Sequence, residues 1–359
     1  MSVEPGPIFV VGSKRSGSTL LRLVLDSHPD IAIGPETGFM RAVAATKEIP
    51  FFRAGKGWYQ RLDWAEDEMD ERLREFYDGI FRRYAAQQGK RRWGEKTPFH
   101  TGYMREMATI FPDARFVGIV RHPGAVARSL QSNFHYSFAD AVAYWMATNA
   151  ELLRSGVALA DRFVLCRYED VVTAPEPVLR EVVSFVDEPW SPAVLAHHEV
   201  QRERGAPRVT DGSTVTRDAI DPARASRWVR TLDGSEHETL LSTRPLARAL
   251  GYDEVDPEGG AGRLVGSSSS RRTATGEDLA AAWPELEELI GAPAAPAYVE
   301  ASSEELARRL RQCEAALQRV RSRRAVRVAD ALRKVQGGRS LADVRAAWSI
   351  VRTRDSRHG

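Results

Sequence analysis

Residues 8–37 read IFVVGSKRSGSTLLRLVLDSHPDIAIGPET. Four apolar residues, Ile8 to Val11, run into Gly12, and a short segment rich in glycine, serine and basic residues follows. Leu20, Leu21, Val24 and Leu25 then recur at helical spacing, so the segment reads as a strand, a glycine loop and a helix. That order builds an anion pocket, because loop N–H groups and a helix N-terminus converge on one point. Lys14 and Arg15 add positive charge, and Ser16, Ser18 and Thr19 add hydroxyl donors.

The spacing resembles a P-loop, G-x-x-x-x-G-K-[ST], with Gly12 and Gly17 in register. Ser18 stands where the P-loop lysine would be, and the basic residues have moved inside the loop. The pocket therefore suits phosphate or a close relative, without the residues of ordinary Mg-ATP hydrolysis.

The 359 residues suffice for one large or two ordinary domains, and 43% apolar with 28% charged content fits a globular chain. No run of about 18 apolar residues occurs, so no membrane span is expected. The N-terminal MSVEPGPIFV lacks the pattern of a signal peptide. Cys166 and Cys313 are too few for a disulfide framework. Together these features give a cytoplasmic expectation. The net charge of +2 conceals an asymmetry. Residues 301–359 hold 15 Lys+Arg against 6 Asp+Glu, leaving 36 against 43 for the rest. A basic tail on a mildly acidic body points to a separate surface for self-association or contact with an anionic surface. The other reading of the tail is a solvated extension.

Phe116–Val120 and Phe163–Cys166 also read as buried strands, and residues 65–88, 139–155, 176–187 and 236–250 as helices. Strands alternating with helices imply α/β architecture, a central parallel sheet flanked by helices in three layers. Residues 257–276 are rich in Gly and Ser. The expected division is a catalytic domain over 1–256, a flexible linker with a short helical segment over 257–300, and a basic helical tail over 301–359. Residues 303–335 show helical periodicity too short for a coiled-coil assignment.

A second informative segment is RFVGIVRHPGAVARSLQSN, residues 115–133. A strand ends in Arg121, Pro123 starts a helix, and Ser129 falls two turns into it. Arg121 then lies at the sheet's carboxyl edge, where α/β folds bind ligands, and with Ser129 could hold a second phosphate. Further segments are Trp93-Gly94-Glu95-Lys96-Thr97-Pro98, Arg167-Tyr168-Glu169-Asp170, and a polar loop, 212–228, leading to Arg227.

Together these residues resemble the sulfotransferases that use 3′-phosphoadenosine 5′-phosphosulfate (PAPS), and most closely the branch containing protein-tyrosine sulfotransferases and their bacterial relatives. The likeness covers roughly residues 6–253. It implies a P-loop-like fold in which Arg15, Ser16, Gly17, Ser18 and Thr19 hold the 5′-phosphosulfate. It places the 3′-phosphate on Arg121 and Ser129, the adenine side on Tyr168, and the C-terminal nucleotide loop on about Gly212 to Asp221, with Thr214 and Arg227. It implies Glu36 as general base, with Arg15 and Lys96 stabilising charge, and requires no metal. His100 and His135 take no role on this reading. The acceptor class stays open among a small molecule, a carbohydrate and a peptide, and no nucleic acid is expected.

The competing reading is an atypical P-loop kinase or nucleotide hydrolase. That reading needs a lysine at 18 and a metal-binding carboxylate at the end of a neighbouring strand, where Arg121 stands. Each residue also has a plainer reading. Glu36 could be a solvated turn carboxylate, Lys96 an exposed lysine, Arg167 and Asp170 a surface pair, and Thr214 and Arg227 ordinary loop residues. His28 reads as a helix-ending residue, and Tyr144 and Trp145 as core.

Overall fold

A computed structural model describes residues 5–47, 57–204, 219–226, 232–252, 264 and 271–290. All lie within the first of the two units into which the chain divides, Met1–Tyr298 and Val299–Gly359. The tail 301–359 and its helical pattern lie outside the described residues, as do Thr214 and Arg227.

The strands are β1 (Ile8–Val11), β2 (Ile31–Ile33), β3 (Arg92–Lys96), β4 (Arg115–Val120), β5 (Phe163–Arg167) and β6 (Ala274–Thr275). They form one sheet in the order β2-β3-β1-β4-β5-β6. The first five are parallel, and β6 pairs antiparallel with β5. Within the segment read as a linker, therefore, Ala274–Thr275 extend the sheet, and Leu279 just beyond them is buried. The Gly/Ser composition of 257–276 concealed this, because a two-residue strand has no periodicity to read.

Strand residues alternate between two cores. Phe9, Val11, Phe116, Phe163 and Leu165 face one, and Ile8, Val10, Val117, Ile119, Val164 and Cys166 face the other. Both faces are buried, as parallel sheets require. The second core is closed by α1 (Ser18–Asp26), with Leu20, Leu21, Val24 and Leu25 inward. The first is closed by α2 (Phe39–Lys47), α3 (Glu66–Gln87), α4 (Met104–Ile110), α5 (Pro123–Phe134) and α6 (Phe138–Leu159). α7 (Tyr168–Thr173) and α8 (Pro175–Phe185) return to the second. No helix among the described residues is long and apolar enough to cross a membrane.

Register aligns the ends of the strands. Val10 pairs with Lys96 and Val117, and Val120 pairs with Arg167. The chain segments leaving β1, β3, β4 and β5 therefore emerge side by side at one carboxyl edge, which is where the sequence placed its candidates.

Candidate active site

The loop after β1 takes a shape only its own residues permit. Gly12, Arg15 and Gly17 have φ of 145°, 68° and 99°. A Cβ on Gly17 would lie 2.2 Å from Cδ2 of Tyr168, and one on Gly12 would lie 2.3 Å from the Ile119 carbonyl oxygen. Both positions thus need glycine for conformation and for space. Two outside groups pin the loop. The Gly12 N–H donates to Thr101 Oγ1 (2.9 Å) and the Lys14 N–H to the Tyr144 hydroxyl (3.0 Å). Tyr144, expected only as core, thus also fixes the loop. Ser13 and Ser16 have buried Oγ atoms with no partner among the described residues. Ser18 begins α1, and Gly17 supplies no side-chain cap, so the first-turn amides face the loop's mouth without one.

The arginines meet here. Arg15 Nε donates to Ser129 Oγ at 2.8 Å. The Arg121 guanidinium stacks 4.3 Å from the Tyr168 ring, and donates to the Arg15 carbonyl (3.4 Å) and the Arg224 carbonyl (3.1 Å). Its Nε is buried with no partner among the described residues. Arg15, Arg121, Ser129 and Tyr168, from three separate segments, are thereby brought together. The indole of Trp145 donates to the Arg121 carbonyl at 2.9 Å, so this core residue holds the arginine's backbone. The Tyr168 hydroxyl is pushed up by burial, with Arg121 opposing. Beside the ring is a cleft bordered by Leu20, Val172, Ile220, Asp221 and Arg224. The described part of the C-terminal loop, 219–226, therefore does reach the site.

Lys96 overturns its plainer reading, being 1% exposed. Its Nζ donates to Thr19 Oγ1 at 3.2 Å and forms an ion pair with Glu36. The Glu36 side chain is 46% exposed, so the carboxylate sits between a buried cation and solvent. Glu95, the residue before Lys96, is also buried. Its Oε1 accepts from the Thr37 N–H (3.1 Å), the Thr37 hydroxyl (3.0 Å) and the Thr97 hydroxyl (2.7 Å), and its Oε2 lies 2.7 Å from His100 Nδ1. Burial raises this carboxyl, but His100, Thr97 and Thr37 outweigh it and hold the group below its ordinary range.

The segment after β5 is also not a surface feature. Arg167 and Asp170 form a buried pair, Nε to Oδ2 2.7 Å, and Arg167 also donates to the Gly251 carbonyl. Glu169, raised by burial, accepts from the His122 N–H (3.0 Å) and the Tyr252 hydroxyl (2.8 Å). His122 in turn caps α5, its Nδ1 accepting from the Gly124 N–H. These contacts fix Tyr168 and Arg121 relative to each other. His28 is buried just past α1, with Nε2 2.7 Å from the Pro189 carbonyl oxygen, which agrees with a helix-ending role.

Sequence reasoning gave no role to Thr101 or to Glu95 itself, and it read Tyr144 only as core and Asp221 only as the end of the nucleotide loop. Thr101 and Tyr144 lie 89 and 130 positions from their loop partners, and no local pattern marks such a contact. Glu95 was within reach, since the buried strand residue next to Lys96 had to find donors.

The site couples a glycine-lined anion cradle, a rim of Arg15, Arg121 and Lys96, and the accessible Glu36 carboxylate. Such a site can hold an anionic group and take a proton beside it. Residues 7–192 match the sulfotransferase family, and the chain belongs to that family. It is similar to protein-tyrosine sulfotransferase 1 of Danio rerio, 29% identical over 259 residues, covering 68% of this chain and 72% of the relative. Protein-tyrosine sulfotransferase 1 of Homo sapiens is 27% identical over 260 residues, covering 68% and 69%. Among solved structures, the sulfotransferase domain of the Synechococcus PCC 7002 olefin synthase superposes with a TM-score of 0.50 at 24% identity, over 71% of this chain and 98% of that domain. That likeness supports the fold.

Proposed function

We propose that the chain transfers a sulfuryl group from PAPS to a hydroxyl or amine of a small-molecule, carbohydrate or peptide acceptor, with Glu36 as general base. The observation that carries the reading is the contact of Lys96 with both Thr19, on the first turn of α1, and Glu36. It sets an accessible carboxylate directly beside the anion cradle.

The residues present fit the donor. The uncapped amides of α1 and the Ser16 hydroxyl, without a partner among the described residues, suit a phosphosulfate. The Arg121 Nε, likewise without a partner among the described residues and beside Arg15 and Ser129, suits a second phosphate. Tyr168 borders a narrow cleft with Leu20 and Ile220 on the side that the resemblance gives to adenine. When bound, PAPS supplies an activated sulfur whose bond to the 5′-phosphate oxygen breaks as the acceptor oxygen attacks in line. Glu36 takes the acceptor's proton. Arg15 and Lys96 stabilise the charge that develops on the leaving phosphate and the equatorial oxygens. Ser18 and Thr19 donate hydrogen bonds, and the cradle fixes orientation. Charge stabilisation is assigned to these side chains because Arg121 directly follows β4, where a metal-using P-loop enzyme would carry a carboxylate.

The Glu36→Ala variant tests the assignment. Turnover should fall by about 10²–10⁴, the range typical of a lost general base, while affinity for adenosine 3′,5′-bisphosphate survives. Full activity would remove Glu36 from the mechanism. Thermal stabilisation by that bisphosphate without Mg²⁺, and none by ATP with Mg²⁺, separates this reading from a kinase. The protein-tyrosine activity in the relatives' names puts tyrosine peptides among the first acceptors to screen.

A further inference from the structure

We infer that Glu95 is a positioning residue for Glu36, acting through Thr37, and that its companion His100 fixes it for that task. The inference rests on Glu36 as the general base. Neighbouring strand residues point to opposite faces, so β3 ends with Glu95 on one side of the sheet and Lys96 on the other. Lys96 reaches Thr19 on α1, while Glu95 lies on the side of His100, whose ring packs edge-on against Phe39 at 5.2 Å. The turn between β2 and α2 crosses this strand end, so its consecutive residues Glu36 and Thr37 are gripped by consecutive residues Lys96 and Glu95.

The grip on Thr37 is extensive. Glu95 Oε1 accepts both the Thr37 N–H and hydroxyl, and Thr97, itself donating to Glu95, accepts the Gly38 N–H at 3.2 Å. On the other flank, Arg22 donates to the carbonyls of Ile33 and Gly34. Glu36 thus lies in the exposed middle of a turn held at both ends. A carboxylate 2% exposed needs partners to stay buried. Here those partners are the backbone next to the base, the Thr97 hydroxyl and His100.

Two substitutions test this. Glu95→Gln keeps the volume but loses the second carboxylate oxygen. Thr37→Val acts on the same link from the exposed side and leaves the core intact. Each should lower kcat, by up to about 10²-fold for an ångström-scale displacement. The KM for PAPS and the affinity for adenosine 3′,5′-bisphosphate should stay within about twofold. Placed in a Glu36→Ala background, each should have almost no further effect, because residues acting as one unit are non-additive. Wild-type kcat in both variants would overturn the inference, as would an undiminished loss in the Glu36→Ala background. Full activity in Glu36→Ala alone would instead refute the base assignment, so the two failures are distinguishable.

Discussion

Replacing Gly17 by Ala should damage both stability and nucleotide binding, for two separable reasons. The residue has φ of 99°, and holding a residue with a Cβ in a sparsely populated region costs about 1–3 kcal/mol. The new Cβ would also stand 2.2 Å from Tyr168 Cδ2, roughly 1.5 Å inside an ordinary carbon–carbon contact. Cδ2 sits near the root of the ring, and the ring is 4.3 Å from the Arg121 guanidinium, so it cannot swing away without breaking that stack. Overpacking of this kind costs typically about 1–3 kcal/mol. The expected total is about 2–6 kcal/mol in urea unfolding, with weaker calorimetric binding of adenosine 3′,5′-bisphosphate. In a Tyr168→Ala background the clash disappears and only the backbone share should remain. Wild-type stability and affinity in Gly17→Ala would refute the reasoning, and an undiminished deficit in the double variant would refute the clash.

Arg121→Ala should weaken binding of adenosine 3′,5′-bisphosphate by about 10–100-fold, the loss of one or two charge-assisted hydrogen bonds. Binding of adenosine 5′-phosphate, which lacks the second phosphate, should change little by the same titration. Truncation after residue 298 should preserve a cooperative melt, whereas truncation after residue 256 removes β6 and the buried Leu279 and should lower the melting temperature measurably. Lys90 is held down to about 8 by burial, from 10.5, despite its contacts with Asp26 and Ile31. Between those values the unfolded chain binds a proton that the folded chain has released, so this group makes stability rise with pH by up to about 1.4 kcal/mol per unit. Urea melts at pH 8, 9 and 10 should show wild type gaining on Lys90→Met, and parallel trends would contradict the assignment.

The residues legible from sequence share one property, that their signal is local. IFVV before a glycine loop and a periodic helix announces β1 and α1 without reference to anything distant. Arg121 and Ser129 are placed by a strand end and a proline-started helix eight residues apart. The contacts that escaped notice act across the fold. Thr101 and Tyr144 hold the loop from distant segments, and Trp145 holds the backbone of Arg121. Arg167 and Asp170 look like surface charges in sequence, and only the packing of α7 against the sheet buries them as a pair.

By itself the sequence determined β1, β4 and β5, the alternation of strands with helices, the glycine loop, and the types of charge available at the strand ends, because propensity and periodicity act over a few residues. Tertiary structure alone decided how those charges are shared. Parallel register brought the ends of β3, β1, β4 and β5 to one edge. There Arg15 meets Ser129, Lys96 is buried against Glu36, and Glu95 takes hold of Thr37. A buried charge must find its partners wherever the fold supplies them, and that supply is set by packing between segments that the chain keeps far apart.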